Sequence, residues 1–316
     1  MRTTWGSRWR RLGGAGILVV VLWWVGTGPV VDGLRSVDVP VLLLGLAIAA
    51  VTTTACAWRW HLVARELGVS IALPSAVAAC YRAQLLNTVL PGGVLGDVHR
   101  GVVHGRATGE TGRALRAVGW ERFAGQVVQA VVAALVLLVM PSPVRPLLPW
   151  VLAVGAVVVG AAVLLVGRVR DVDTRWGRVA RVVRYDVRTA LLVRRSWPGV
   201  VVASVVATAG YVATYVLAAR AVGVDAAVST LLPLAVVVLV VAGVPFNVAG
   251  WGPREGMAAW AFAAAGLGAG TGVATAVAYG AIVLVANVPG LVVVLAAQAR
   301  ETDRERDLTA GGPARA

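Results

Sequence analysis

The sequence predicts an all-α, polytopic helical membrane bundle of about six spanning helices plus two broken, re-entrant hairpins. Three observations carry that expectation. Of 316 residues, 59% are hydrophobic and only 14% charged, and the mean hydropathy is +0.81, whereas a soluble domain sits near a quarter charged. Apolar runs of the length needed to cross a bilayer, about 20 residues, recur from end to end. Two further apolar segments are interrupted by proline, glycine and charge. A spanning helix tolerates such breaks only where protein or a water-lined cavity satisfies the freed backbone groups.

The chain opens on a basic lead, Arg2, Arg8, Arg10 and Arg11, followed by an apolar run over 12–31. That run is longer than a signal-peptide core and no small-x-small cleavage site follows, so a retained first span is expected. Further spans are expected at 39–57, 119–140, 147–167, 198–219 and 273–297. Trp23, Trp24, Trp58, Trp60, Trp120, Trp150 and Trp197 fall at predicted ends, as an interfacial belt requires, and Pro198 suits a helix first turn. Residues 1–297 thus read as one integral membrane domain and 298–316 as a short, disordered cytoplasmic tail.

The segments at about 76–98 and 231–266 carry the breaks. The first runs Asn87-Thr88-Val89-Leu90-Pro91-Gly92-Gly93-Val94-Leu95-Gly96-Asp97-Val98-His99-Arg100, and the second contains Pro245, Gly250, Gly252, Pro253, Arg254 and Glu255. The formal charge of +14 comes from arginine alone, since lysine is absent. If both segments are re-entrant, the expected cytoplasmic pieces hold 23 of the 29 arginines and the short outer loops hold only Arg35, Arg145 and Arg220. That asymmetry follows the positive-inside rule and places both termini in the cytoplasm of a cell-membrane protein. The hairpins would then enter from opposite sides, as in transporters that build a midplane site from two broken elements. The basic loop 168–197 spaces arginines at 175, 178, 181, 184 and 188, with Val179, Val182, Val183 and Val187 filling much of the remainder. This pattern suits an amphipathic helix on an anionic leaflet.

Charges inside a membrane cost about 2.5–3.5 kcal/mol each on insertion scales, so they are paired or line a cavity. Asp97 and Arg100 share a helix face by their i, i+3 spacing. Arg100 is expected to receive an anionic group, with Asp97 orienting it or capping the helix. Arg254 and Glu255 open a helix beside glycines, where exposed donors favour anions. Being adjacent in sequence, they are expected not to form a simple internal salt bridge. Glu121 and Arg122 suit either a hairpin partner or an interfacial anchor, and Arg59-Trp60-His61 reads as an anchor ending the second span. Cys56 and Cys80 read as buried small hydrophobes. His99 and His104 lack a third ligand, so no metal is expected. No cofactor is expected either, because no nucleotide, hydrolase or metalloprotease motif occurs in a credible context.

At these residues the chain resembles the transmembrane region of lysylphosphatidylglycerol synthases and its stand-alone relatives. The family motif N-x-x-L-P-G-x-x-G-D-x-x-R is met by Asn87, Leu90, Pro91, Gly92, Gly96, Asp97 and Arg100. The motif E-R-x-x-G is met by Glu121, Arg122 and Gly125, and P followed by G-x-G-x-R-E by Pro245, Gly250, Gly252, Arg254 and Glu255. The similarity spans roughly 40–297. Where the family often has a glycine pair before the aspartate, Leu95-Gly96 stands here. About 19 residues follow the last span, too few for the aminoacyl-transfer domain of the bifunctional synthases.

The resemblance implies a flippase-like membrane part without the synthase, and the expected activity is movement of an anionic or lipid-linked head group. Asn87, Asp97, Arg100, Glu121, Arg122, Arg254 and Glu255 are the expected substrate-binding residues. Pro91, Gly92, Gly93, Gly96, Pro245, Gly250 and Gly252 are the expected hinges or close-approach positions. The alternatives are a membrane transferase acting on a lipid carrier and a non-transporting assembly partner; no catalytic residue is assigned. The expected partners are membrane lipids, either anionic phospholipid or a polyprenyl or glycolipid carrier. Nucleic acid is not expected, and homo-oligomerisation is left open.

Overall fold

A computed structural model describes residues 27–90, 93–168, 174–191, 193–243, 252–293 and 295. Among these every regular element is helical. The predicted first span lies outside the described residues except for its last few, and the tail 298–316 lies outside them entirely. So do Pro91, Gly92, Pro245 and Gly250 of the expected hinges.

Four helices are long and apolar enough to cross a membrane: α2 (Val39–Glu66), α5 (Thr111–Val139), α8 (Trp197–Ala221) and α11 (Ala269–Ala286, continuing to Val293). At 1.5 Å per residue each measures about 37 Å or more against a hydrocarbon core of about 30 Å. Two start with local signals readable in the sequence. Asp38 caps α2 through Oδ1, which accepts from the Val41 N–H at 3.0 Å, and Pro198 occupies the first turn of α8. A shorter α1 (Thr27–Arg35) packs on α11, and α6 (Leu148–Arg168) lies at the edge of the bundle against α5.

The two interrupted segments fold as helical hairpins. In the first, α3 (Leu73–Val89) packs on α4 (Leu95–Thr108), and in the second α9 (Val228–Ala242) packs on α10 (Pro253–Ala264). Helices of 17, 14, 15 and 12 residues reach about 18–26 Å, short of the hydrocarbon thickness. The chain leaves α3 at Leu90 in extended conformation, as the residue before a proline prefers. The hairpin helices close tightly because Gly96 has no Cβ: one placed there would lie 2.0 Å from the Ala83 carbonyl oxygen.

The hairpins enter the bundle from opposite ends. The base of the first lies beside the C-terminal end of α2, where His61 Nδ1 meets the Ile71 carbonyl at 2.6 Å and Val69 packs with Val63 and Leu67. The base of the second lies beside the N-terminal end of α2, where Val37 and Val41 pack on a cluster containing Val224, Leu231 and Phe262. Both breaks reach α5. Arg122 Nη1 donates to the Gly93 carbonyl at 3.4 Å, and Gln126 Nε2 donates to the Gly243 carbonyl at 3.3 Å. Four residues on a helix are about 6 Å, so Gly93 and the C-terminal end of α9 meet one helix about a turn apart.

Residues of the basic loop form α7 (Arg175–Asp186) and a π-helical turn, Val187–Leu191. Trp176, Val179, Val182 and Tyr185 make an exposed apolar stripe. Asp186 is solvent-free and accepts from Arg116 Nε at 2.8 Å and Trp120 Nε1 at 2.9 Å. The loop is therefore tied to α5 by a charged bond that its arginine periodicity did not announce.

Candidate functional site

α2, α3, α4 and α5 bring a charged network into the bundle at the break of the first hairpin. Glu121, 1% exposed, accepts through Oε1 from Arg59 Nε at 2.8 Å and through Oε2 from Arg100 Nη2 at 2.6 Å. Arg100 also donates from Nε to Asp97 Oδ1 at 2.9 Å and from Nη1 to Cys80 Sγ at 3.3 Å. Its guanidinium lies 4.6 Å from the Trp60 ring centroid. Asp97 Oδ2 accepts from Asn87 Nδ2 at 2.6 Å and from Arg122 Nη1, and Asn87 Oδ1 accepts from the Gly96 N–H at 2.7 Å. Asn87 thus bridges the break from α3 to α4. A buried charge is tolerated only when its desolvation is offset by pairing and hydrogen bonds, and this network supplies both.

Burial separates the roles of these groups. Arg100 is 4% exposed and each of its donor nitrogens is engaged, which makes it a structural keystone of the network, at the border of the smaller cavity described below. Asp97 lies in the first turn of α4, but the N-cap is Val94, without a side-chain cap bond. Its carboxylate serves Arg100, Arg122 and Asn87 instead. The Arg122 side chain, by contrast, is 35% exposed and faces open space. A cavity of about 210 Å³ is lined by Arg59, Arg122, Gln126, Gln129, Tyr211 and Tyr279, among others, and none of its lining residues among the described ones is an acid. A smaller one of about 110 Å³, also lined by Arg59, Arg122 and Tyr211, reaches Asn87, Asp97 and Glu121.

The second charged pair lies apart, at the start of α10. Arg254 donates from Nε (2.9 Å) and Nη2 (2.6 Å) to Glu255 Oε1, so the expectation that these neighbours would not pair is corrected. The long arginine side chain folds back within the first helical turn, where Cβ directions alone do not limit its reach. Glu255 Oε2 also accepts from the Gly252 N–H at 2.7 Å, at a glycine with φ +111° that another residue would strain to adopt. Arg254 lies 5.3 Å from the Tyr279 ring centroid and against Gly280, where a Cβ would come within 2.6 Å of Nη2. Tyr279 also borders the 210 Å³ cavity.

Of the expected site residues, Asn87, Asp97, Arg100, Glu121 and Arg122 come together, while Arg254 and Glu255 form the separate pair. Glu121 and Arg122 join the first hairpin. Arg59 and Trp60, where the sequence predicts an anchor, are instead 8% and 0% exposed within the network. The helix runs on to Glu66, so the apolar Leu62, Val63 and Ala64 beyond Arg59 were the signal that it lies inside the bundle. Cys56 and Cys80 are buried, but both also border the smaller cavity. Tyr211, Gln126 and Gln129 were missed because single polar residues in apolar helices carry no motif.

The family model described as the lysylphosphatidylglycerol synthase TM region matches residues 11–290. No curated protein and no solved structure gives a match.

Proposed function

The chain belongs to the lysylphosphatidylglycerol synthase transmembrane-region family, and from that premise we propose that it is a lipid flippase or related transporter for an anionic head group. One observation carries the reading. The central network holds three guanidinium groups, Arg59, Arg100 and Arg122, against two carboxylates, Asp97 and Glu121. The surplus positive charge borders a polar cavity without an acidic lining residue among the described ones. A phosphate entering there completes the neutralisation of the site through Arg122, with the amides of Gln126 and Gln129 as further donors. Guanidinium groups suit this task because they give charge-assisted, directional hydrogen bonds to phosphate oxygens.

Two hairpins entering from opposite ends and meeting on α5 supply the other requirement, a site closed from either face by a movable element. In this reading the first hairpin is re-entrant from the cytoplasm and the second from the outside. The hydrocarbon part of the substrate stays among the helices while its head group crosses.

The test is head-group translocation in vesicles containing the purified chain and a fluorescent phosphatidylglycerol, scored by quenching from outside. Arg122→Gln should lower the rate roughly tenfold, the scale of one lost charge-assisted bond, with unchanged folding. Undiminished translocation by that variant removes the site assignment. Absence of translocation by the unaltered chain with any anionic lipid removes the transport reading.

A further inference from the structure

The polar cavity does not end blindly. Along α5 its lining runs from Gln126 and Gln129 to Val132 and Val136, which line a second, apolar space of about 620 Å³. Along α8 the same succession leads from Ala207, Thr208 and Tyr211 to Val212 and Val216, and along α9 from Gly243 and Leu239 to Val236 and Leu232. Thr208 lines both spaces. The lining of α5 and α8 therefore changes from polar to apolar at one level while that of α9 is apolar throughout, and the two spaces, adjoining at Thr208, make one amphiphilic trough.

We infer that this trough is the binding path of one hydrocarbon chain of an anionic lipid whose head group occupies the Arg59–Arg122 cavity. The inference rests on the head-group reading above and adds where the tail goes. From Thr208 to Arg220, the far lining residue on α8, is about 18 Å by helical rise, close to the roughly 15 Å depth of one leaflet. Leu44, Val205 and Val228 on its walls are exposed, so a chain can enter sideways without leaving the apolar phase. The arginines lie towards the Glu66 end of α2 and the valines towards its Val39 end. The trough thus runs from the arginines at mid-bundle towards the Val39 end of α2, through the depth of the leaflet on that side. A wholly water-soluble phosphate would have no use for the apolar half.

The chain is reconstituted in phosphatidylcholine vesicles doped with phosphatidylglycerol carrying a diazirine midway along one acyl chain. After illumination, adducts are mapped by mass spectrometry, with exposed Trp150 on α6 as the reference for bulk lipid. Adducts at Val132, Val136, Val212 and Val236 should exceed those from the matching phosphatidylcholine probe roughly tenfold, while Trp150 shows no preference. Arg122→Gln should bring that ratio to about one. Ala213→Trp, which fills the trough from its exposed side, should reduce the trough adducts to the Trp150 level.

Equal labelling by the two probes in the unaltered chain overturns the inference, because the trough then holds bulk lipid only. That comparison needs no variant to fold. Head-group-dependent labelling without translocation keeps the trough and removes transport. Translocation that persists in Ala213→Trp removes the trough and keeps transport.

Discussion

Glu121 receives Arg59 and Arg100 at once and is nearly solvent-free, which makes it the residue whose loss leaves the most uncompensated charge. Breaking a buried pair by removing one partner costs about 3–5 kcal/mol. Glu121→Gln should therefore abolish a cooperative melting transition in detergent or lower it steeply. Arg122→Gln, at a half-exposed position, should leave the transition within a few degrees of the unaltered protein. If the two variants melt alike, the division into keystone and ligand-facing arginines is wrong. Gly125 makes a related point. A Cβ there would lie 2.5 Å from Arg59 Nη1, whereas one at Gly119, on the same helix, meets nothing within 4 Å. Gly125→Ala should destabilise by about 1–3 kcal/mol through displacement of the guanidinium, while Gly119→Ala should be neutral or slightly stabilising through helix propensity. Thermal melts of the two variants compare an equal chemical change in two environments.

At the scale of elements, α7 is held by Asp186, whose bonds to Arg116 and Trp120 join it to α5. Asp186→Ala should cost about 1–3 kcal/mol locally and speed tryptic cleavage within 174–191, with the spans left intact; an unchanged cleavage rate would show that other contacts hold the helix. The arginine spacing of this loop announced a helix, but a lone aspartate at its end gave no sign of a tertiary latch. The same limit runs through the rest of the molecule. Spans and breaks were legible because length, apolarity, proline and glycine act locally, and α3 does end just before Pro91. Span ends were less so: α2 continues nine residues beyond the expected 57, since a buried arginine paired across the bundle does not stop a helix as an anchor would. That pairing is non-local and leaves no periodic trace. The family motifs nonetheless held most of the network's members. Arg59, Trp60, Tyr211 and the two glutamines came into view only when α2, α5 and α8 were placed side by side.

For the whole molecule, the question is how its two hairpins sit across the bilayer. Their bases lie at opposite ends of α2, and both pairs of hairpin helices are too short for the hydrocarbon core. A re-entrant hairpin puts both of its ends on one face, whereas two crossing helices joined by a turn would also do so but would carry the turn to the far surface. Gly93, beside the first break, instead touches Arg122, and Gly243, the C-cap of α9, touches Gln126, about a turn apart on one long helix. Single cysteines at exposed Ser70 and Thr108 bracket the first hairpin, and Asp225 and Gly270 bracket the second. The native Cys56 and Cys80 are buried and provide the unlabelled background. An impermeant maleimide should label Ser70→Cys and Thr108→Cys only from the cytoplasmic side, the face to which the positive-inside rule, applied to the arginine asymmetry, assigns the Glu66 end of α2. Asp225→Cys and Gly270→Cys should label only from outside. Labelling of the two members of either pair from different sides would break the hairpin arrangement, and labelling of all four from one side would leave a bundle without opposed gates, in which head-group passage has no path.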